Sequence, residues 1–122
     1  MQTGPVPTIL AAQRAEGDWP PADELFGSGY TTTGWQLIFL SGLGADPADE
    51  RIQRACDRVL ELAPVLSGGL SWNRRQSGVL HCYNGDLLRA LIDFGRLDDA
   101  RVRAALEWTA DAVLGTGDPQ YR

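Results

Sequence analysis

The chain has a single histidine, only two cysteines and no run of basic residues. Each shortage closes off a class of protein. With 16 acidic against 11 basic residues the formal charge is −5, so there is no electrostatic footprint for a phosphate backbone and none for anionic lipid. Nucleic acid is therefore not an expected partner. No stretch approaches the roughly 18–20 apolar residues that cross a bilayer, so no membrane span is expected. Met1 to Leu10 lacks the basic and apolar regions of a signal peptide. Cys56 and Cys82 both fall in apolar-periodic segments, which predicts buried thiols in a reducing cytoplasm rather than a disulfide framework. No β-branched run alternates with polar residues, so no strand is expected.

What is present is helical periodicity. With 122 residues, 43% hydrophobic and 22% charged, the sequence suits a single globular domain with one core. Ile9, Leu10 and Gln13 are spaced for a helical face, and residues 1–15 read as the end of an outer helix. A Gly- and Pro-bearing loop follows, from Glu16 to Tyr30. From Thr31 to Leu43 apolar residues cover nearly every face, which predicts a helix surrounded by protein. Gly44 closes it, Asp46 offers an N-cap and Pro47 a first helical position. The next helix carries Ile52, Ala55, Cys56, Val59, Leu60 and Leu62 on one face and charge on the other, up to Pro64. After a second loop, from Val65 to Ser77, an apolar helix runs from Val79 to Phe94 and stops at Gly95. Asp98 and Asp99 cap the last helix, with Val102, Ala105, Leu106, Thr109 and Val113 inward, and Trp108 off that stripe as a mark of a contact surface.

The two halves match. Gly34 and Gly44 bracket one apolar helix as Gly85 and Gly95 bracket another, and Arg51-Ile52 and Ala55-Cys56 fall on Arg101-Val102 and Ala105-Leu106. Trp19, Trp72 and Tyr121 each follow a glycine at a similar interval. A period of about fifty residues, with two helices per unit, predicts an all-α array of α/α helical hairpins. About two and a half hairpins are present, over residues 31–63 and 79–115, with 116–122 a frayed tail. That tail reads as the loop leading to a further inner helix, so the chain is expected to be partial.

The segment Gln13-Arg-Ala-Glu-Gly17-Asp-Trp19 resembles the repeat motif of the squalene-cyclase and prenyltransferase superfamily, a Gln near the end of an outer helix and then Gly-x-Trp. Gly69-Leu-Ser-Trp72 is a degenerate second copy. The run from Cys82 to Ile92, with Gly95 and Asp98 to Val102, is similar to an inner-to-outer hairpin of bacterial squalene-cyclase-like proteins. The resemblance implies a partial α/α-toroid, with an aromatic-lined cavity opening at the N-terminal ends of the inner helices. Those ends are Tyr30, Trp35, His81, Cys82, Tyr83 and Asp86. They are the candidate ligand-binding residues, suited to an isoprenoid or other apolar small molecule. Gln13, Gly17, Trp19 and Trp72 are candidate structural residues of the repeat.

The departures from the family weigh against catalysis by this chain alone. The family's acid is an Asp-x-Asp-Asp motif, and here Asp98-Asp99 is the only adjacent pair, in a turn where capping explains it. The family's zinc site uses Asp-x-Cys and a distant His, and this chain has no Asp-x-Cys and a single His. His81 and Cys82, adjacent on a helix, point in different directions and make no metal site; no cofactor is expected. Cys82 reads as packing rather than a nucleophile, Asp86 as a helix-dipole partner, and the loop tryptophans as staples between repeats. Two readings follow: a fragment or short homologue of a toroid without a complete active site, or a non-catalytic helical scaffold for protein partners. Open repeat ends predict a homo-oligomer, most simply a dimer.

Overall fold

A computed structural model describes residues 4–15, 17, 19, 33–66, 68–71 and 79–115. Five helices occur among them: α1 (Pro5–Ala11), α2 (Thr33–Gly42), α3 (Glu50–Leu62), α4 (His81–Asp93) and α5 (Ala100–Leu114). The described residues contain no strand; a single isolated bridge joins Pro64 to Leu70. The fold is all-α. Tyr30, Trp72 and the tail from 116 to 122 lie outside the described residues.

The two α-hairpins are built by the same local chemistry. After α2 and α4 the chain reverses at Gly44 and Gly95, both at positive φ. Ala45 and Arg96 then donate their N–H groups back to the Leu40 and Leu91 carbonyls, closing the helix ends. Asp49 and Asp99 cap the following helices by accepting from the N–H groups of Arg51 and Arg101 at 2.9 and 2.8 Å. Each arginine also folds its guanidinium back onto the same carboxylate. The expected cap Asp46 is therefore corrected to Asp49. The first turn is longer, and Asp46 instead accepts from the Ala48 N–H at 2.9 Å within it.

α2 packs on α4, with α1 and α3 leaning on α2 and α5 on α4. The core is aliphatic, with Leu37, Leu40, Ile52, Val59, Leu60, Leu87, Leu91 and Val102 fully buried. Three burial expectations need correction. α2 is not enclosed: Leu37 and Leu40 face inward, but Trp35, Ile38 and Phe39 are only partly buried and Leu43 is exposed. Trp108 is 5% exposed while Leu106 and Val113 face outward, because Trp108 fits over Gly68 and Gly69, whose missing side chains leave it room. Cys82 is exposed, since it begins the one stripe of α4 that turns from the core, with Asp86, Arg89 and Asp93.

Candidate functional site

The residues 13, 17 and 19 form a joint. Gln13 donates from one Nε2 to the Gly17 carbonyl at 3.0 Å and to the Arg51 carbonyl at 2.8 Å, tying the end of α1 to the first turn of α3. Gly17 sits at φ +92°, with a hypothetical Cβ only 2.7 Å from the Arg54 carbonyl oxygen, so the loop runs directly against the α3 backbone. Trp19 is buried; its indole N–H donates to the Ile9 carbonyl at 2.8 Å and its backbone N–H to Thr33 Oγ1 at 3.0 Å.

The second joint has the same backbone plan with other side chains. Gly68, at φ +105°, lies against the Ala104 carbonyl of α5 as Gly17 lies against Arg54. The glycine matching Gly17 is thus Gly68 rather than Gly69, and the residue matching Trp19 is Leu70. Leu70 donates its N–H to Asn84 Oδ1 at 2.9 Å, where Trp19 uses Thr33. Leucine has no indole N–H for the Leu60 carbonyl, and Arg101 supplies that donor instead at 3.1 Å. Asn84, fully buried, also donates to Thr109 at 2.8 Å.

Helices α2 and α4 bring some of the remaining candidates together. Trp35 and Tyr83 meet edge to face, with ring centroids 5.4 Å apart, and Phe39 continues the row 6.1 Å from Trp35. Burial pushes the Tyr83 phenol well above its ordinary pKa. These rings fill the seam between α2 and α4. Beside that seam, along the C-terminal half of α2, runs a groove of about 420 Å³. Ile9, Ile38, Phe39, Gly42 and Leu43 form its apolar wall, and Asp86, Arg89 and Ser41 its polar edge. Ser41 donates to Asp93 at 2.7 Å, and Arg89 lies 3.7 Å from the same carboxylate. Of the sequence candidates only Asp86 lines this groove. Cys82 is exposed on the same stripe one turn earlier, and His81 is the first residue of α4.

Ile38, Phe39, Leu43 and Arg89 were not singled out from the sequence. The available signal was the surplus of apolar residues on α2, which reads equally as full burial or as one open apolar face. Elsewhere, burial pushes the Cys56 thiol up to about 12, so it stays protonated. No group of three or more His, Cys, Asp or Glu side chains among the described residues is arranged to hold a metal ion. Nor is any described helix long and apolar enough to cross a membrane. Comparison of the chain with protein-family models, curated proteins and solved structures gave no match.

Proposed function

We propose that this chain is a fragment or short homologue of a helical-hairpin array of the squalene-cyclase and prenyltransferase type. It binds an apolar, isoprenoid-like ligand along α2 and α4, without a complete catalytic centre of its own. The groove is the observation that carries this reading. Its volume of about 420 Å³ lies in the range of small-molecule sites, and its wall is aliphatic and aromatic with a few polar groups at the rim. The jointed Gln13, Gly17 and Trp19 support the family resemblance, because each member of the motif contributes to one contact between successive outer helices. The chain works in the cytoplasm, consistent with its two unpaired cysteines, and as a homodimer.

The test is binding of a solvatochromic apolar dye, with farnesol and squalene as competitors. The dye should shift to the blue and be displaced by both, and Ile38→Asp should abolish the shift while leaving helical circular dichroism intact. Dye that fails to bind, or that neither isoprenoid displaces, removes the ligand reading. A second reading, a scaffold for protein partners, is favoured by the exposed stripe of Cys82, Asp86, Arg89 and Asp93 on α4, which carries Asp86 and Arg89 where α2 has Trp35 and Ile38. A pull-down dependent on Asp86 and Arg89, in a chain that binds no dye, would select it.

A further inference from the structure

We propose that the outward face of α5 is where two copies of this chain pair, antiparallel about a two-fold axis. The proposal gives the dimer named above a definite surface. Its basis is the fate of the corresponding face of α3. There Gln53 donates to the Phe94 carbonyl at 2.9 Å and accepts from Arg96 at 2.7 Å, and Asp57 holds the same guanidinium at 2.7 Å. Cys56 between them is fully buried beneath the turn from α4 to α5. One hairpin later the matching positions are Arg103, Leu106 and Glu107, and all three are exposed. Leu106 is 38% exposed and shares a shallow depression with Leu97, Arg103 and Glu107. Leu97, Val113 and Leu114 are 44%, 80% and 74% exposed, so with Leu106 four exposed large apolar side chains among the described residues sit on α5 and the turn before it. A face that is interior in one hairpin, at Cys56, has become exterior in the next, where it carries the larger apolar Leu106.

The occupant is a second copy in the reverse direction. A head-to-tail copy would have to bring an outer helix to the open side of the first hairpin, and α1 already stands there, held by Trp19 through the Ile9 carbonyl. An isologous contact avoids that clash and closes on itself. The charges suit it. Arg103 and Glu107 are one helical turn apart and opposite in sign. Crossing two α5 helices antiparallel at the level of Ala105 sets each Arg103 against Glu107 of the other copy, flanks the axis with the two Leu106 side chains, and brings Leu97 level with Val113. Arg103 already holds Asp98 at 3.3 Å, but both partners of that pair are largely in water and it is readily exchanged. A helix of 15 residues is only about 22 Å long, so the contact is small and of the weak, transient class.

Sedimentation equilibrium from low to high micromolar concentration, as a weak contact requires, tests the interface without any ligand. Wild type should fit a monomer–dimer equilibrium. Arg103→Glu and Glu107→Arg should each weaken it about tenfold, since each reversal turns two attractive pairs into repulsions. The double variant should recover to within about threefold of wild type, which a merely structural role for either residue would not produce. Leu106→Asp should leave a monomer with unchanged circular dichroism and urea midpoint. A wild type that stays monomeric throughout, or a dimer indifferent to all three positions, overturns the proposal. Dye binding by a monomeric wild type would leave the ligand reading standing and remove this one; a dimer that binds no dye would do the reverse.

Discussion

Three glycine-to-alanine substitutions separate the backbone terms that shape this fold. At Gly17 an added methyl group meets two penalties. The φ of +92° lies in the left-handed region, which costs an L-residue about 1–2 kcal/mol. The Cβ also stands 2.7 Å from the carbonyl oxygen and 2.9 Å from the carbonyl carbon of Arg54. Both are backbone atoms of a helix and cannot swing aside, so overpacking adds about 1–3 kcal/mol. Gly17→Ala should therefore destabilise by about 2–5 kcal/mol. Gly44→Ala isolates the first penalty, because φ is +76° but no atom lies within 4 Å; its cost should be about 1–2 kcal/mol. Gly85→Ala carries neither. Gly85 is inside α4 with open space at its Cβ, so alanine should stabilise by about 0.5–1 kcal/mol. In urea melts followed by circular dichroism, with a slope near 1.5 kcal/mol/M, the Gly17 midpoint should fall by about 1–3 M while that of Gly85 rises by about half a molar. A Gly17 variant no worse than the Gly44 variant would refute the close approach of loop to α3, and with it the account of the joint.

Other substitutions probe the chemistry of the same parts. Asn84→Leu keeps the branched four-atom side chain but leaves the buried Leu70 N–H without its acceptor, which should cost about 2–3 kcal/mol in the same urea assay. Native protein treated with a thiol reagent at neutral pH should react at Cys82 and not at Cys56, whose thiol is buried and pushed up to about 12; Cys82→Ser should abolish labelling until denaturant is added. The Asp99 carboxyl is drawn from 3.8 down to about 2, chiefly by the side-chain hydrogen bonds from Arg101. Its folded value lies below its unfolded one, so the stabilisation is complete above about pH 4 and lost as pH falls toward 2. Asp99→Asn keeps an N-cap but no charge, and its stability should decline less than that of wild type across that window; an equal decline would show that the fork does not matter.

Much of the architecture was legible because it is written in local rules. Glycines at the helix ends, aspartates before the outer helices and the two hydrophobic periodicities each require only a few neighbouring residues to be read. The groove was less legible for a physical reason. Hydrophobic residues around every face of α2 show that the helix avoids water; they do not show whether a neighbour, a ligand or nothing covers each face. Trp108 and Leu106 exchanged roles because helical spacing gives the angle between side chains, whereas Gly68 and Gly69, far away in sequence, determine which of them finds room. The same distance effect hid the true partner of Gly17. Gly68 and Gly69 are adjacent in the sequence, and only the left-handed φ and the Ala104 carbonyl against it distinguish them.

The two joints show what a helical hairpin of this kind holds fixed as its side chains change. Each brings a glycine against a helix, α3 or α5, and two polar groups there find partners: the buried N–H at position 19 or 70, and the part-buried carbonyl at position 9 or 60. The first joint uses Thr33 for the N–H and the Trp19 indole for the carbonyl. The second reaches the same end with Asn84 and the Arg101 guanidinium. Because the requirement is a donor or acceptor at a place, not a particular residue, a tryptophan can give way to a leucine provided another side chain supplies the missing N–H. The glycine has no such substitute, since the requirement there is the absence of atoms. A motif search led by tryptophan therefore stops at the first joint, whereas one led by a left-handed glycine beside an outer helix finds both.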